Sequence, residues 1–194
     1  MFIRKKTLSI VLCLVTVFAT LSATAMASGS DKKALEIRLD RGRTTALIAD
    51  EVRHQLVTLP YYGVFDWLEG QVLPDDTVVL RGQVTQPITK SDAEARVRSL
   101  ESVAKVVNQI EVLPLSSSDD RIRLAMYRAI FNYNSPLFQY AIRAVPPIHI
   151  IVKNGQVTLK GVVATHMDSQ LAYMAARGVP GVFGVNNELM VENS

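Results

Sequence analysis

The second half of this 194-residue chain repeats the first half at a fixed offset of 79 residues. Residues 78–84 align with residues 157–163, and Asn108 aligns with Asn187. Solenoid repeats have periods of roughly 20–50 residues, so a longer period indicates a small domain used twice. Differences between the two copies therefore bear on function as much as the shared positions do.

The first 27 residues have the pattern of a cleavable signal peptide. Three basic residues at positions 4–6 precede an apolar run over 8–21, and Ala25 and Ala27 supply the small residues that a signal peptidase requires. A membrane anchor is the alternative, but it needs about 20 apolar residues and this run is shorter. We expect cleavage after Ala27 and a periplasmic location.

Removal of that segment changes what the composition implies. It contains three of the 21 basic residues and none of the 18 acidic residues, so the remaining chain is close to neutral. Nucleic-acid binding requires clusters of basic residues, and a nearly neutral chain does not predict them. We expect no nucleic-acid partner. The single cysteine, Cys13, also lies in the segment. The rest of the chain therefore has no disulfide framework, thiolate metal site or catalytic thiol.

Hydrophobic periodicity predicts the same order of elements, α-β-β-α-β, in both copies. In the first copy it predicts a helix from Thr44 to about Leu59, strands over 65–73 and 77–84, a helix over 90–102 and a strand over 103–113. In the second copy it predicts a helix over 118–131, a helical turn over 137–143, strands over 148–152 and 156–163, a helix over 168–178 and a strand over 182–191. We expect an α+β fold of two modules, each a small three-stranded mixed sheet packed by two helices.

Composition shifts mark the domain boundaries. Residues 28–41 are polar and are predicted to form a flexible leader. The first module is expected over 42–114, a linker rich in serine over 115–118, and the second module over 119–193.

Two local signals concern the strands. Asn154-Gly155 favours a tight hairpin turn, because both residues readily adopt positive φ. Gly82 and Gly161 lie inside predicted strands, where glycine is normally unfavourable. We expect a bulge there, or a close backbone approach by the helix that follows.

These motifs together resemble the BON domain (bacterial OsmY and nodulation). The second copy carries Gly-Gln-Val-Thr-Leu-Lys-Gly over 155–161, Val-Pro-Gly-Val over 179–182 and Val-Asn-Asn-Glu-Leu over 185–189. The first copy departs from the pattern at its turn, Asp75-Asp76, and at Ser102, where glycine is usual. The resemblance implies tandem domains like those of osmotically inducible periplasmic proteins, which associate with phospholipid membranes or other envelope components.

No constellation of catalytic residues accompanies this pattern. His54, His149 and His166 stand singly, without metal-ligand spacing, and no nucleophile elbow or phosphate loop is present. The adjacent pairs Asp75-Asp76 and Asp119-Asp120 fit turn and capping chemistry. An aromatic cluster is expected to lie in the core: Tyr61, Tyr62, Phe65 and Trp67. We expect no enzyme activity, no cofactor and no metal.

The copies differ most in their second helix. At the positions of Asp92 and Glu94 in the first copy, the second copy has Leu171 and Tyr173. Two structural explanations are open: the helix packs against the first module, or the chain ends cover it. The functional hypothesis is an apolar contact for lipid or a partner, with a basic residue near anionic headgroups. Its residues are Leu171, Tyr173, Met174 and Arg177.

The sequence thus predicts a non-enzymatic periplasmic protein that binds the envelope. The expected partner is a phospholipid membrane surface, in the context of osmotic or envelope stress. The alternative is a periplasmic adaptor that binds a protein or a peptidoglycan-associated partner. Weak self-association is compatible with either function.

Overall fold

The computed structural model describes residues 24–143 and 145–192, with side chains from residue 32 onward. Most of the predicted signal peptide, residues 1–23, lies outside the described residues. The chain up to Gly42 and the chain from Arg43 onward form separate compact units. Both repeats lie in the second unit.

Each repeat folds as an α-β-β-α-β module, which confirms the expected α+β class. Module 1 contains α1 (Thr24–Val57), of which it uses the part from Arg43, and then β1 (Trp67–Val72), β2 (Thr77–Val84), α2 (Pro87–Arg98), β3 (Lys105–Asn108) and β4 (Glu111–Val112). Module 2 contains α3 (Ser117–Ile130), α4 (Phe138–Ala141), β5 (Ile148–Lys153), β6 (Gln156–Val163), α5 (His166–Arg177) and β7 (Gly184–Val191).

Both sheets are mixed and have the same topology. In module 1, β2 pairs antiparallel with β1 and parallel with β3 and β4. In module 2, β6 pairs antiparallel with β5 and parallel with β7. The expected last strand of module 1 is divided into β3 and β4 at residues 109–110. The Asn108 side chain accepts a hydrogen bond from the Ile110 N–H (3.0 Å), but the Asn187 side chain accepts the same bond from the Leu189 N–H (3.3 Å), so this bond does not explain the division. The equivalent β7 is continuous.

Each sheet buries one face under its two longer helices. The core of module 1 is built on residues of α1, β2 and α2, among them Ile48, Val52, Leu56, Leu80, Ala93 and Val97. The core of module 2 is built on α3, the strands and α5, among them Ile122, Met126, Ile130, Ile150, Leu159 and Ala172. The two cores consist of different buried residues, and both modules lie in one compact unit.

The first helix begins earlier than the sequence predicts. α1 starts at Thr24 rather than Thr44, so residues 28–41 are helical instead of forming the irregular leader that we expected. This segment contains good helix formers and no proline, which explains the correction. Its side chains from residue 32 to 41 are exposed.

Both hairpin turns use the residues that the sequence indicated. Asn154 and Gly155 have φ of 52° and 73°, which confirms the tight turn between β5 and β6. In the first copy Asp76 has φ of 57° and takes the left-handed position. Hydrogen bonds from the Thr77 hydroxyl and N–H hold the Asp75 carboxylate and lower its pKa.

The strand glycines allow another part of the backbone to approach closely, as expected. The approaching segment is not the helix that follows each glycine. Gly82 and Gly161 have φ of 128° and 122°. A Cβ atom at Gly82 would overlap the carbonyl oxygen of Trp67, and one at Gly161 would overlap that of Pro147. The close neighbour is therefore the preceding strand of the hairpin.

The two modules contact each other along β5. The Ile150 N–H donates a hydrogen bond to the Val64 carbonyl (2.8 Å), and the Val64 and Phe65 side chains pack against the core of module 2. An ion pair joins Lys153 of β5 to Glu111 of β4 (2.6 Å). Residues 63–65 thus lie along the outer edge of β5 and tie module 1 to it.

Candidate functional site

The helix α5 is defined by its cap and its buried face. Thr165 is the N-cap: its hydroxyl accepts from the Asp168 N–H (3.1 Å) and donates to the Asp168 carboxylate (2.9 Å). Ala172 and Ala176 lie on the buried face, and their small side chains let the helix lie close on β6 and β7. α5 also packs against α3, so the exposed sides of the two helices form the outer surface of module 2.

The four residues singled out in the sequence occupy different positions on α5. Leu171 is half-buried and packs against the core of module 2. Tyr173 is half-buried, and the Arg177 guanidinium lies 5.7 Å from its ring centroid. Met174 is 58% exposed. The freely available apolar surface is therefore at Met174, with Tyr173 and Arg177 beside it, rather than at Leu171.

One further residue belongs to this surface. Met167 lies two helical turns before Met174 and is 66% exposed. Alignment of the copies did not single it out, although its spacing of seven residues from Met174 is the signal that could have found it. We call Met167, Tyr173, Met174 and Arg177 the α5 surface.

The charges around the α5 surface are biased toward positive. Of the acidic residues on α3 and α5, Asp119 and Asp168 are buried and Asp120 pairs with Arg123. The arginines on the exposed sides of these helices are Arg121, Arg128 and Arg177. The outer surface of module 2 thus combines exposed methionine with arginine.

The equivalent helix of module 1 has a different surface. Glu94, at the position of Tyr173, accepts a hydrogen bond from the Asn108 side chain (3.0 Å), and this bond with the nearby Arg98 lowers the pKa of Glu94. Ala95 stands where module 2 has Met174. Module 1 therefore presents paired charges where module 2 presents apolar side chains.

Module 2 does not need an acidic residue at the position of Glu94, because the equivalent asparagine donates its hydrogen bond to Ser169 instead. Asn187, equivalent to Asn108, donates to the Ser169 hydroxyl (2.9 Å). The side-chain amide of each asparagine also donates to a helix carbonyl, that of Lys90 or Ser169. This exchange explains how Tyr173 can occupy the position of Glu94 without disturbing the fold.

A second feature is an aromatic cluster where the modules meet. His149 is 5% exposed; its ring stacks on Tyr62 at 5.4 Å and meets the edge of Trp67 at 5.1 Å. Its Nδ1 lies 3.2 Å from the Gly63 carbonyl oxygen. Burial lowers the pKa of His149, against the opposing effect of hydrogen bonds to the Asp66 and Gly63 backbone.

The other aromatic residues predicted for the core also lie near this junction. Phe65 packs edge-on to Tyr127 of α3 (6.4 Å), while Tyr61 is exposed. Burial raises the pKa of Tyr62. Tyr62 packs against the core of module 1 and Phe65 against the core of module 2, as expected, and the contacts of His149 with Tyr62 and Trp67 also join the two modules.

A cleft of about 830 Å³ opens beside the aromatic cluster. α1 and β1 form one wall, and the chain that enters β5, with the end of β6, forms the other. Arg53 and Arg143 lie on opposite walls, and the apolar lining includes Leu68, Val162 and Pro147.

The described chain contains neither a metal-binding cluster nor a membrane-spanning helix. Within residues 24–143 and 145–192, no group of three or more His, Cys, Asp or Glu side chains is arranged to hold a metal ion. Over the same residues, no helix combines the length and apolar character of a membrane span.

Comparison with known proteins identifies the repeat. The family model of the BON domain matches residues 44–114 and residues 135–193. No curated protein matches the chain.

Two solved structures show similarity to the chain. One is the C-terminal domain of CdsD, the structural protein of the type III secretion system of Chlamydia trachomatis, at 13% identity, covering 74% of this chain and 96% of that one, with a TM-score of 0.27. The other is also of CdsD, at 13% identity, covering 74% of this chain and 92% of that one, with a TM-score of 0.25.

Proposed function

The chain belongs to the BON domain family, which suggests an envelope-associated or membrane-associated role, and from this premise we propose that it is a non-enzymatic protein that binds anionic phospholipid surfaces. Binding occurs through the α5 surface of module 2. The protein acts in the periplasm after removal of its signal peptide, and its role belongs to osmotic or envelope stress.

The observation that carries this proposal is the exposure of Met167 and Met174 on one side of α5. A folded domain gains nothing from leaving two large apolar side chains in water, whereas lipid gives each a place to bury its surface. Burial of a methionine side chain contributes roughly 1.5–3 kcal/mol. Two such residues suffice for weak, reversible association.

The preference for anionic lipid follows from the charges on the exposed sides of α3 and α5. Arg121, Arg128 and Arg177 are exposed on α3 and α5, while the acidic residues of these helices are buried or paired. A basic residue near an anionic membrane contributes about 1 kcal/mol, and salt screens this attraction. Association should therefore weaken as ionic strength rises.

Flotation with liposomes tests the proposal. The chain from Ser28 onward, which contains both modules whole, should float with vesicles that contain anionic phospholipid and much less with neutral vesicles. The double variant Met167→Glu/Met174→Glu should lower the partition coefficient at least about tenfold, because the two changes together remove apolar burial of more than about 1.4 kcal/mol. Both positions are exposed, so the fold should be preserved.

The repeat supplies a matched control. Ile88→Glu/Ala95→Glu places the same two charges at the positions equivalent to Met167 and Met174 on α2 of module 1 and should leave flotation unchanged. Equal flotation of the α5 double variant and the unchanged chain would contradict binding through α5. Failure of the unchanged chain to float with either vesicle would instead favour the adaptor function, with a protein or peptidoglycan-associated partner.

A further inference from the structure

Phe183 is an exposed aromatic side chain that the structure nevertheless holds in place. It lies in the loop between α5 and β7 and is 80% exposed. Its N–H donates a hydrogen bond to the Gly155 carbonyl (2.9 Å), which fixes the backbone at the base of the side chain. The ring lies against Gly155, because a Cβ atom added there would be 2.6 Å from the ring atom Cδ2. The ring therefore rests on the β5–β6 turn and presents the rest of its surface to water.

Module 1 has the same hydrogen bond without the aromatic ring. At the offset of 79 residues, Ala104 corresponds to Phe183 and Asp76 to Gly155. The Ala104 N–H donates to the Asp76 carbonyl (3.0 Å), and Asp76 and Gly155 share the left-handed conformation, with φ of 57° and 73°. The fold thus requires the turn and the hydrogen bond but not the ring. Module 2 combines an exposed phenylalanine with the glycine that makes room for it.

Three segments of module 2 meet beside this ring, and together we call them the module 2 tip: the turn at 154–155, the loop over 178–183 and the first turn of α3 over 117–120. The Asp119 carboxylate accepts hydrogen bonds from the N–H groups of Asn154 and Gly155, each at 2.9 Å. A Cβ atom at Gly181 would lie 3.8 Å from the Ile122 side chain of α3. These contacts fix the loop that carries Phe183 to both the turn and the helix.

The charges at the module 2 tip favour an anionic partner. Asp119 is 2% exposed with both oxygens bonded to the turn, and Asp120 pairs with Arg123. Arg121 of α3 is exposed, and so is Arg177, the last residue of α5 before the loop. The tip therefore extends the α5 surface at its C-terminal end, with the same combination of apolar and basic side chains.

This combination matches the interface of an anionic membrane. A single exposed apolar residue on a protein surface needs no functional explanation. Phe183 differs because a glycine accommodates its ring, because module 1 has no counterpart to the ring, and because basic side chains lie on the helices beside it. Phenylalanine buries its ring at the boundary between headgroups and acyl chains, where arginine contacts anionic headgroups.

We propose that Phe183 is the membrane anchor of module 2: its ring enters the interface of an anionic phospholipid bilayer while Arg121 and Arg177 contact the headgroups. This inference rests on the proposed function and deepens it, because it assigns a residue that enters the bilayer and turns the module 2 tip toward lipid. Module 1 has Ala104 at the equivalent position and does not insert.

Flotation measures how much the ring contributes to binding. The probe is a vesicle of phosphatidylglycerol and phosphatidylcholine, with the chain from Ser28 onward. Phe183→Ala should lower the partition coefficient at least about fivefold, because it removes the burial of a large apolar side chain. Phe183→Trp keeps a large aromatic ring and should retain binding. Both variants keep the backbone N–H that bonds Gly155, so thermal unfolding should show that both are folded.

Fluorescence quenching by brominated acyl chains reports whether the ring enters the bilayer. Trp67 is the single tryptophan of the chain and lies against His149 between the modules, so the unchanged chain gives the baseline. On vesicles of phosphatidylglycerol and brominated phosphatidylcholine, the fluorescence of Phe183→Trp should fall below that baseline. Ala104→Trp is the matched control at an exposed position of module 1 and should show no such loss.

Two results would overturn the anchor while leaving lipid binding in place. The first is equal flotation of Phe183→Ala and the unchanged chain. The second is equal quenching of Phe183→Trp and Ala104→Trp on vesicles to which both variants bind. Failure of the unchanged chain to float with these vesicles would overturn the proposed function, and the anchor with it.

Discussion

At the scale of single residues, His149 is a buried side chain whose ring is held by aromatic contacts. It lies between Tyr62 and Trp67, with the Gly63 carbonyl at Nδ1. The pattern of β5 correctly placed it in an apolar strand, but its partners come from module 1. Burial lowers its pKa, so the folded protein favours the neutral imidazole.

This pKa shift predicts how stability depends on pH. The pKa of His149 is lower in the folded state than the value of about 6.5 in the unfolded chain. The contribution of neutral His149 to the free energy of unfolding is therefore fully present above pH 6.5 and is lost as the pH falls below that value. The free energy of unfolding should be smaller at about pH 5.5 than at pH 7.5. His149→Phe, which keeps an aromatic ring, should reduce that difference.

Denaturant unfolding at the two pH values measures this effect. Asp75 and Glu94, whose pKa values are lowered, do not interfere, because their contributions are lost only below the usual carboxylate range. The same difference between the two pH values in His149→Phe and the unchanged chain would contradict the account of His149.

The strand glycines give a second prediction at this scale. Gly82→Ala and Gly161→Ala should each destabilise the protein by roughly 3 kcal/mol or more, because the Cβ atom would meet a backbone carbonyl and φ is positive. Gly42→Ala is the control: nothing lies within 4 Å of its Cβ position, so stability should be unchanged or slightly raised. Thermal unfolding distinguishes the three variants. A loss below about 1 kcal/mol at either strand glycine would contradict the close approach.

At the scale of elements, the Asp119 carboxylate joins α3 to the β5–β6 turn. Its two oxygens accept hydrogen bonds from the N–H groups of Asn154 and Gly155, each at 2.9 Å. Ser116 is the cap of α3 and accepts from the Asp119 N–H (3.1 Å). Asp119 therefore serves the turn, and Ser116 provides the capping that the acidic pair suggested.

Loss of this carboxylate should destabilise module 2. Asp119→Asn leaves neither turn N–H with a charged acceptor and one of them with no acceptor at all, because the asparagine amide has a single neutral oxygen. Hydrogen bonds to charged groups contribute about 1.5–3 kcal/mol. The control is Asp50→Asn, at an exposed position on α1 in module 1, which should cost less than about 1 kcal/mol. Denaturant titrations compare the two, and equal losses would show that the turn does not depend on Asp119.

The sequence predicted most elements because their signals are local. A short apolar run over 148–152 and the Asn154-Gly155 turn defined β5 and β6, and the repeat carried the assignment from one module to the other. The start of α1 was missed because exposed helix residues have no apolar stripe to mark them. The division between β3 and β4 was missed because no local signal marks it: the bond from the Ile110 N–H to Asn108 has a counterpart at Asn187 in the continuous β7.

At the scale of the whole molecule, contacts between the modules were beyond sequence reasoning. The Val64–Ile150 hydrogen bond joins residues that lie far apart in the chain, and no pattern in either segment indicates the other. The candidate surface was predicted in part: alignment of the copies found Met174 and Arg177, but not Met167. Leu171 is half-buried because α3 lies beside α5, a tertiary fact that the alignment does not contain.

Comparison of the two modules provides the functional argument. They share their topology, their strand glycines and their asparagine hydrogen bonds, and these common features serve the fold. They differ on the second helix, where α2 presents Glu94 and Ala95 and α5 presents Tyr173 and Met174. The central claim is therefore that module 2, and not module 1, contacts the lipid surface.

The most direct test places the same probe on each helix. Met174→Cys and Ala95→Cys, each in the chain from Ser28 onward, give single thiols at equivalent positions for an environment-sensitive fluorophore. On addition of vesicles that contain anionic phospholipid, the emission of the label at position 174 should shift to the blue, while that at position 95 should not change. Equal shifts at both positions, or no shift at position 174 while the protein floats with the vesicles, would contradict the account.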